Sequence, residues 1–285
     1  MSSEPGRLLR LVEWGLRLAL RLGGVSLRQV STSVGQICVY DWRGTPGKPT
    51  VVLLHGIVAN STSWWPLFFG LRRSAGRIFA MDNLGHGWSD APAELEPEAM
   101  IQAVEEVLRA EIAEPAVVLG NSLGGALALH FAAKNPERVK NLLLVSPAGA
   151  PWTEAEITEL RALFDLADVR AATAFVDRLY AKPVAYARLI APEILRRFRD
   201  PAIRHLVSRF RTDQAMTPES MAVIPAPSLL LWGRKERLLP NTSLHFFRAH
   251  LRGVVEEPLE WGHCPQLDRQ GELVARVRRW VEEGR

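Results

Sequence analysis

Short apolar runs alternate with longer helical patterns over most of the chain, and this alternation constrains the fold more than any other feature. The runs are Val51–Leu54, Ile78–Met81, Ala116–Leu119, Leu142–Val145 and Ser228–Trp232. They are too short for helices and do not alternate with polar residues, so they predict strands of a parallel sheet that is buried on both faces. Ser33–Gly44 adds an earlier, partly exposed strand, and Glu257–Trp261 resembles a late one. Helical patterns cover Glu96–Ile112, Leu123–Lys134, Asn241–Leu251 and Gln266–Glu283. The order predicts an α/β fold with a mostly parallel central sheet and helices on both faces.

The alternation stops between about residues 150 and 225, where only helical patterns occur. Prolines are expected to mark the helix starts and stops there; they are Pro151, Pro183, Pro192, Pro201 and Pro218. We expect residues 150–225 to form a helical cap, or lid, above the carboxyl ends of the strands, where open α/β sheets bind ligands. Residues 25–149 and 226–285 then form the core, and residues 1–24 an amphipathic N-terminal helix.

The N-terminal segment is apolar apart from a charged stripe at helical spacing, which consists of Arg7, Arg10, Glu13, Arg17 and Arg21. The charges interrupt the run too often for a membrane span or a signal peptide. Two interpretations stay open for residues 7–24. Their wide apolar face packs on the domain or on a second subunit, or it lies in a membrane interface. The predicted location is the cytoplasm, with peripheral membrane association through this segment as the open alternative. The pattern does not indicate an oligomeric state.

Charge and cysteine content argue against several classes of function. The formal net charge is +4, and residues 1–30 carry five arginines against two glutamates, so the remaining chain is almost neutral. A nucleic-acid-binding domain normally carries its excess of basic residues on a folded face, so we predict no nucleic-acid partner. Cys38 and Cys264 are far apart and lack the spacing of a disulfide framework or a metal site, so two free thiols and no metal are predicted.

One serine lies between a predicted strand and a predicted helix, in the sequence Gly120-Asn121-Ser122-Leu123-Gly124-Gly125. A strand that turns sharply into a helix strains its turn residue and crowds the residues two positions before and after it. Glycines at both positions relieve that crowding, and the turn lifts the hydroxyl above the sheet. The alternative is a serine that only caps the helix. The surrounding strand and helix favour a nucleophile, Ser122, with Gly120 and Gly124 as motif glycines.

From about residue 35 to the C-terminus the chain resembles the α/β-hydrolase superfamily. The matching stretches are LLHG, MDNLGHGWSD, GNSLGGALAL, LLLWGRKERLLP and GHCPQLD. The resemblance implies a hydrolase with a Ser–acid–His triad and no cofactor. The family usually has Pro-Gly where this chain has Asn83-Leu84-Gly85. Serine rather than aspartate as the nucleophile argues against haloalkane dehalogenases and epoxide hydrolases.

The same resemblance assigns the rest of the site. His263 follows the last strand pattern and is the expected base. Glu236 stands where the family usually has aspartate and is the expected acid, with Asp82 as a weaker candidate. The backbone N–H groups of Ile57, after Gly56, and of Leu123 are expected to form the oxyanion hole. The predicted substrate-pocket residues are His55, Asn121 and Trp64.

Three functions fit the sequence, and a small-molecule substrate fits all of them. The first is ester hydrolysis by an enzyme similar to carboxylesterases or monoacylglycerol lipases, which the apolar Trp64-Trp65 and Phe68-Phe69 pairs favour. The second is carbon–carbon hydrolysis by an enzyme similar to those that act on meta-cleavage products. That family tends to have tryptophan where this chain has Cys264, and a glycine-rich oxyanion loop where this chain has HGIVANSTSW. Both differences argue against this function. The third is ligand binding without catalysis.

Overall fold

The computed structural model describes residues 7–224, 227–252 and 254–283, and within them the chain forms one eight-stranded sheet. The predicted boundary between the helical insertion and the core, at residues 225–226, lies outside the described residues. The strands are β1 (Ser26–Thr32), β2 (Gly35–Arg43), β3 (Thr50–Leu54), β4 (Arg77–Met81), β5 (Ala116–Asn121), β6 (Val139–Val145), β7 (Ser228–Gly233) and β8 (Val254–Leu259).

The sheet has the strand order β1-β2-β4-β3-β5-β6-β7-β8. The pairings from β4 through β8 are parallel, whereas β1 with β2 and β2 with β4 are antiparallel. Strand β5 is central, with Leu54 of β3 opposite Gly120 on one side and Leu144 of β6 opposite it on the other. The carboxyl ends of the parallel strands therefore meet at one edge, on either side of the end of β5.

Helices cover both faces of this sheet. They are α1 (Arg7–Leu22), α2 (Trp65–Gly70), α3 (Pro97–Glu111), α4 (Leu123–Lys134), α5 (Glu154–Phe164), α6 (Val169–Leu179), α7 (Ala187–Phe198), α8 (Pro201–Ser208), α9 (Pro218–Ala222), α10 (Asn241–His250), α11 (Pro265–Asp268) and α12 (Gln270–Glu283). Adjacent strand residues point to opposite faces. Val52 packs with α3 and α4, and Val51 packs with α2 and α12. Burial on both faces explains why the strands read as continuous apolar runs.

The structure confirms the predicted α/β fold and all five apolar strands, because each run is a fully buried strand that needs no polar face. It differs from the sequence prediction at several places. Helix α2 was not predicted, and the late strand covers Val254–Leu259 rather than Glu257–Trp261. Strand β1 was not predicted, since its residues are mostly exposed and polar. The predicted last helix is divided at Arg269 into α11 and α12. Pro192 was expected to mark a helix end but lies inside α7, which begins five residues earlier.

Helices α5 to α9 lie between β6 and β7, and we call these five helices the insertion. Capping side chains set several of their starts. Thr153 forms a capping box with Glu156 before α5, Asp168 accepts from the N–H of Ala171 before α6, and Asp200 caps α8 ahead of Pro201. Helix α7 matters most for the site, because it brings Glu193 and Arg197 against the core.

Helix α1 turns a mixed face inward: Glu13, Arg17 and Leu20 are buried, whereas Arg10 and Arg21 of the charged stripe are exposed. Leu11 and Trp14 are 64% and 60% exposed. The apolar face therefore packs on the domain only in part, through residues such as Leu20, and most of it is exposed. Arg17 pairs with the buried Tyr40 hydroxyl and with Asp82, and Glu13 pairs with Arg197, which explains why these two charges are buried.

Candidate active site

Ser122 occupies the junction between β5 and α4, with no linking residue on either side. Its φ and ψ are 54° and −121°, outside the regions that side-chain-bearing residues normally adopt. Its N–H donates to the carbonyl oxygen of Val145 at 3.1 Å, and its own carbonyl accepts from Gly125 at 2.8 Å. The surrounding backbone bonds thus hold the serine in a strained conformation at the edge of the sheet.

The motif glycines are required by close approach of the backbone. A Cβ on Gly120 would overlap the carbonyl of Gly124, and a Cβ on Gly124 would overlap the carbonyl of Leu54. A Cβ on Gly56 would lie 3.3 Å from Cβ of Ser122. These contacts place the loop after β3 directly against the start of α4.

His263 and Glu236 form a buried pair at the same edge of the sheet. Nδ1 of His263 lies 2.8 Å from Oε2 of Glu236, and the side chains are 2% and 1% exposed. The other carboxylate oxygen accepts from the N–H groups of Leu238 at 2.7 Å and Leu239 at 3.1 Å. Burial alone would raise the pKa of Glu236, but the neighbouring imidazole and these N–H groups lower it, so the carboxylate is ionised. An Nδ1–H that donates to a carboxylate leaves Nε2 able to accept a proton.

Asn121 fixes the loop that carries His263. Its amide nitrogen donates to the carbonyls of Val145 at 2.9 Å and His263 at 3.1 Å, and its oxygen accepts from Gln266 at 2.9 Å. Asn121 borders the cavity, but its hydrogen-bonding groups are used inside the protein. Neither this role of Asn121 nor the contribution of Gln266 was predicted from the sequence. The adjacency of Asn121 to the nucleophile was the available signal.

The residues predicted to supply the oxyanion donors, Ile57 and Leu123, line the same cavity as Ser122. Leu123 is the first residue of α4, where a backbone N–H has no acceptor within the helix. Ile57 lines the cavities beside the serine. The next residue, Val58, has φ 52°, an uncommon conformation for a β-branched side chain.

Asp82 anchors the loop after β3 and does not serve as the acid of the His263 pair. Its carboxylate accepts from the N–H of Ser61 at 2.7 Å and of Trp88 at 2.9 Å, and its side chain is fully buried. Burial raises the pKa of Asp82, although both N–H donors and Arg17 oppose the rise. The weaker candidate for the acid therefore has a structural role.

Two predicted pocket residues do not line the pocket. His55 is fully buried, with Nδ1 2.8 Å from the carbonyl of Gly56 and Nε2 accepting from the N–H of Asn83 at 2.9 Å. Burial lowers the pKa of His55 to about 4, so it is a neutral scaffold residue. Trp64 packs in the core, and its neighbour Trp65 faces the cavity instead. A short 3₁₀ turn over Ser61–Trp64 sets which of the two tryptophans turns inward.

Two mainly apolar cavities meet at Ser122 and Ile57. The larger, of about 410 Å³, also includes His263 and opens beside α1. The smaller, of about 110 Å³, extends between α4 and the insertion past Leu127 and Phe164. A reacting carbonyl at Ser122 therefore has apolar space on both sides.

The described residues contain no group of three or more metal-ligating side chains, and none of their helices is long and apolar enough to cross a bilayer. Cys38 and Cys264 are free, buried thiols. Burial raises the pKa of both, to about 12 for Cys38. Neither thiol is a nucleophile at neutral pH.

Comparison with known proteins gives the same assignment as the geometry. A 2-hydroxymuconate semialdehyde hydrolase of Pseudomonas sp. strain CF600 is 28% identical over 254 residues, which cover 82% of this chain and 87% of that protein. A monoacylglycerol lipase of Xenopus laevis is 26% identical and covers 93% of this chain and 84% of its own length. The solved structure of a bacterial membrane phospholipase A superposes with a TM-score of 0.81 at 23% identity, covering 96% of this chain and 92% of that one. The family model described as alpha/beta hydrolase fold matches residues 49–220, more than half of the sequence. This chain therefore belongs to the α/β-hydrolase fold family.

Proposed function

We propose that this protein is a serine hydrolase that cleaves carboxylic esters through an acyl-enzyme intermediate. Ser122 is the nucleophile, His263 the general base and Glu236 the acid of the triad. The proposal rests on one observation above all. His263, paired with the buried Glu236, borders the same cavity as a serine held in a strained turn.

The mechanism follows from the protonation states. His263 Nε2 takes the proton as Ser122 Oγ attacks the ester carbonyl, and Glu236 stabilises the imidazolium. The N–H groups of Ile57 and Leu123 bind the oxyanion. The intermediate collapses, the C–O bond to the alcohol breaks, and His263 gives its proton to the departing oxygen. Water, deprotonated by the same ring, then attacks the acyl-serine and releases the carboxylic acid.

The cavities favour a neutral ester with an apolar group on each side of the carbonyl. Among the described residues that line them, the arginines are Arg197 and Arg211, and both are ion-paired, with Glu13 and Asp213 respectively. A carbon–carbon hydrolase of meta-cleavage products needs a cation for the substrate carboxylate. Because the Pseudomonas relative is a 2-hydroxymuconate semialdehyde hydrolase, carbon–carbon hydrolysis is the second candidate function. Cys264, which stands where the meta-cleavage family tends to have tryptophan, argues against it.

We further propose peripheral membrane contact through residues 7–24, from the cytoplasmic side. The exposed apolar face of α1 includes Leu11, Trp14 and Leu18, and an apolar surface of this kind marks an interaction site. Exposed Arg21 and half-exposed Arg10 suit anionic headgroups. The larger cavity is lined by Leu8 and Val12 of the same helix, so a lipid ester leaving a bilayer would enter beside Ser122. The insertion serves as a lid over this entrance.

The test of the catalytic proposal is turnover of a short p-nitrophenyl ester by wild type and by Ser122→Ala. Loss of the nucleophile is expected to lower kcat by at least about 10⁴-fold while the fold, followed by circular dichroism, stays unchanged. A fluorophosphonate probe should label wild type and leave Ser122→Ala unlabelled. A wild-type protein that binds ligands without turnover would identify a non-catalytic member of the fold, and faster cleavage of a vinylogous diketone would identify a carbon–carbon hydrolase.

A further inference from the structure

Arg197 of α7 joins three parts of the chain that are distant in sequence. Its Nη1 donates to the carbonyl oxygen of Val58 at 2.8 Å, its Nη2 to Glu13 at 2.6 Å, and its Nε to Glu193 at 3.2 Å. We infer that Arg197 is a positioning residue that holds the oxyanion loop and couples it to the N-terminal helix. This inference rests on the proposed ester hydrolysis.

The contact with Val58 acts on the oxyanion loop two peptide groups after the predicted donor, the N–H of Ile57. Val58 has positive φ and a branched side chain, so its backbone needs outside support to keep this conformation. Within the loop, Ala59 donates to Gly56 at only 3.3 Å. Asp82 holds Ser61, three residues further on. The guanidinium of Arg197 supplies a charged donor to this loop, and it fixes the carbonyl of Val58, the residue after Ile57.

Two carboxylates orient the guanidinium. Glu193 is fully buried and also pairs with Arg196 at 2.7 Å, whereas Glu13 comes from α1. The side chain of Arg197 is only 15% exposed, so these bonds are shielded from water. A planar guanidinium can satisfy three acceptors in different directions at once, which a lysine ammonium does with less directional control. Displacing α1 removes one of these supports and thereby acts on the loop.

Arg196 provides a matched control. It lies one residue earlier on α7 and binds the same Glu193, through Nε at 2.9 Å and Nη2 at 2.7 Å. It lies outside the cavities that reach Ser122. Arg196→Met and Arg197→Met therefore remove equal charge from the same carboxylate, and only the second removes the donor to Val58 and the partner of Glu13.

The experiment compares kcat, KM and the inhibition constant of an alkyl boronic acid in wild type, Arg197→Met and Arg196→Met. A boronic acid forms a tetrahedral adduct with the serine and samples the oxyanion site. We expect Arg197→Met to lower kcat roughly 10- to 100-fold with KM within about twofold, since small displacements of transition-state donors act on the chemical step. Boronate binding should weaken by a similar factor. Arg196→Met should stay within about threefold of wild type on each measure.

Glu13→Gln tests the coupling if Arg197→Met folds poorly. Arg197 then keeps its bond to Val58 and loses a charged partner, so kcat should fall about 3- to 10-fold without a change in melting temperature that explains it. Equal effects of Arg197→Met and Arg196→Met, or a rise in KM at constant kcat, would overturn the inference while leaving ester hydrolysis intact. Wild type that neither turns over the ester nor reacts with fluorophosphonate would overturn both.

Discussion

The edge of the sheet around Ser122 and the N-terminal helix α1 are held in place by different kinds of contact. At the edge, glycines let backbone segments approach so closely that a single methyl group would overlap a carbonyl. In α1, Arg17 donates to Tyr40 Oη at 2.8 Å and lies 4.0 Å from Asp82, while Trp14 faces outward. Local sterics determine the first arrangement, and distant buried polar partners determine the second. The difference shows that a short motif can specify its own geometry, whereas an amphipathic pattern does not specify which face is buried.

Glu236→Gln should have the largest effect among variants that separate these two regions. If the amide presents its NH₂ group to Nδ1 of His263, it stabilises the wrong tautomer of the ring. If it presents its oxygen, it lacks the charge that stabilises the imidazolium. In either case kcat should fall about 10³- to 10⁴-fold. Ester turnover in steady state measures this. Glu236→Asp retains the charge and restores the residue usual in the family, so it should keep far more activity. Equal losses in both variants would show that the carboxylate charge is not what matters.

A pair of glycine substitutions contrasts the two regions directly. Gly124→Ala forces the new methyl into the carbonyl of Leu54, and it should lower the free energy of unfolding by at least about 3 kcal/mol and abolish turnover. Gly15→Ala in α1 meets no atom within 4 Å and should raise the free energy of unfolding by about 0.5–1 kcal/mol. Urea denaturation measures both. Destabilisation by Gly15→Ala would mean that α1 packs more tightly than its exposure indicates.

The double variant Leu11→Ser/Trp14→Ser tests the outward face of α1. Because both side chains are mostly exposed, turnover of a soluble ester and the melting temperature should not change. Binding to vesicles of mixed phosphatidylcholine and phosphatidylserine should weaken about 100-fold, since two large apolar groups no longer enter the interface. Co-sedimentation measures the binding.

Leu20→Ala on the inner side of α1 is the contrasting control, and it should destabilise the protein by about 2–5 kcal/mol, because Leu20 is fully buried. A different result would assign the apolar face to a second copy of the chain. In that case wild type would not bind vesicles and would dimerise in analytical ultracentrifugation, whereas the double variant would be monomeric.

Much of the fold was predictable because the sheet is buried on both faces. Continuous apolar runs identified β3 to β7, and helix α4 was predicted with its observed bounds, Leu123–Lys134. Strand β1 was not predicted, because an exposed edge strand has no apolar pattern. The break at Arg269 and the passage of α7 through Pro192 depend on tertiary packing. Cap residues such as Thr153 and Asp168 carried local signals that agree with the observed helix starts.

The candidate site divides in the same way. Ser122, His263 and Glu236 stand at motif positions, and the structure brings the last two into contact. The roles of Asn121, Gln266 and Arg197 depend on partners far away in the chain. His55 and Trp64 were assigned to the pocket from their neighbourhood in sequence, and the loop after β3 turns them into the protein.

The amino-acid sequence by itself determined the parallel sheet, the strained serine turn and the amphipathic character of α1, because these features follow from periodicity and from backbone sterics over a few residues. Tertiary structure alone decided that Glu236 pairs with His263, that Glu13 and Arg17 of α1 are buried, and that Arg197 connects α1 to the loop beside Ser122. Each of these contacts joins residues 23 to 184 positions apart. Such pairs form only after the sheet has aligned its strand ends, and side chains then choose partners by distance, charge and access to water.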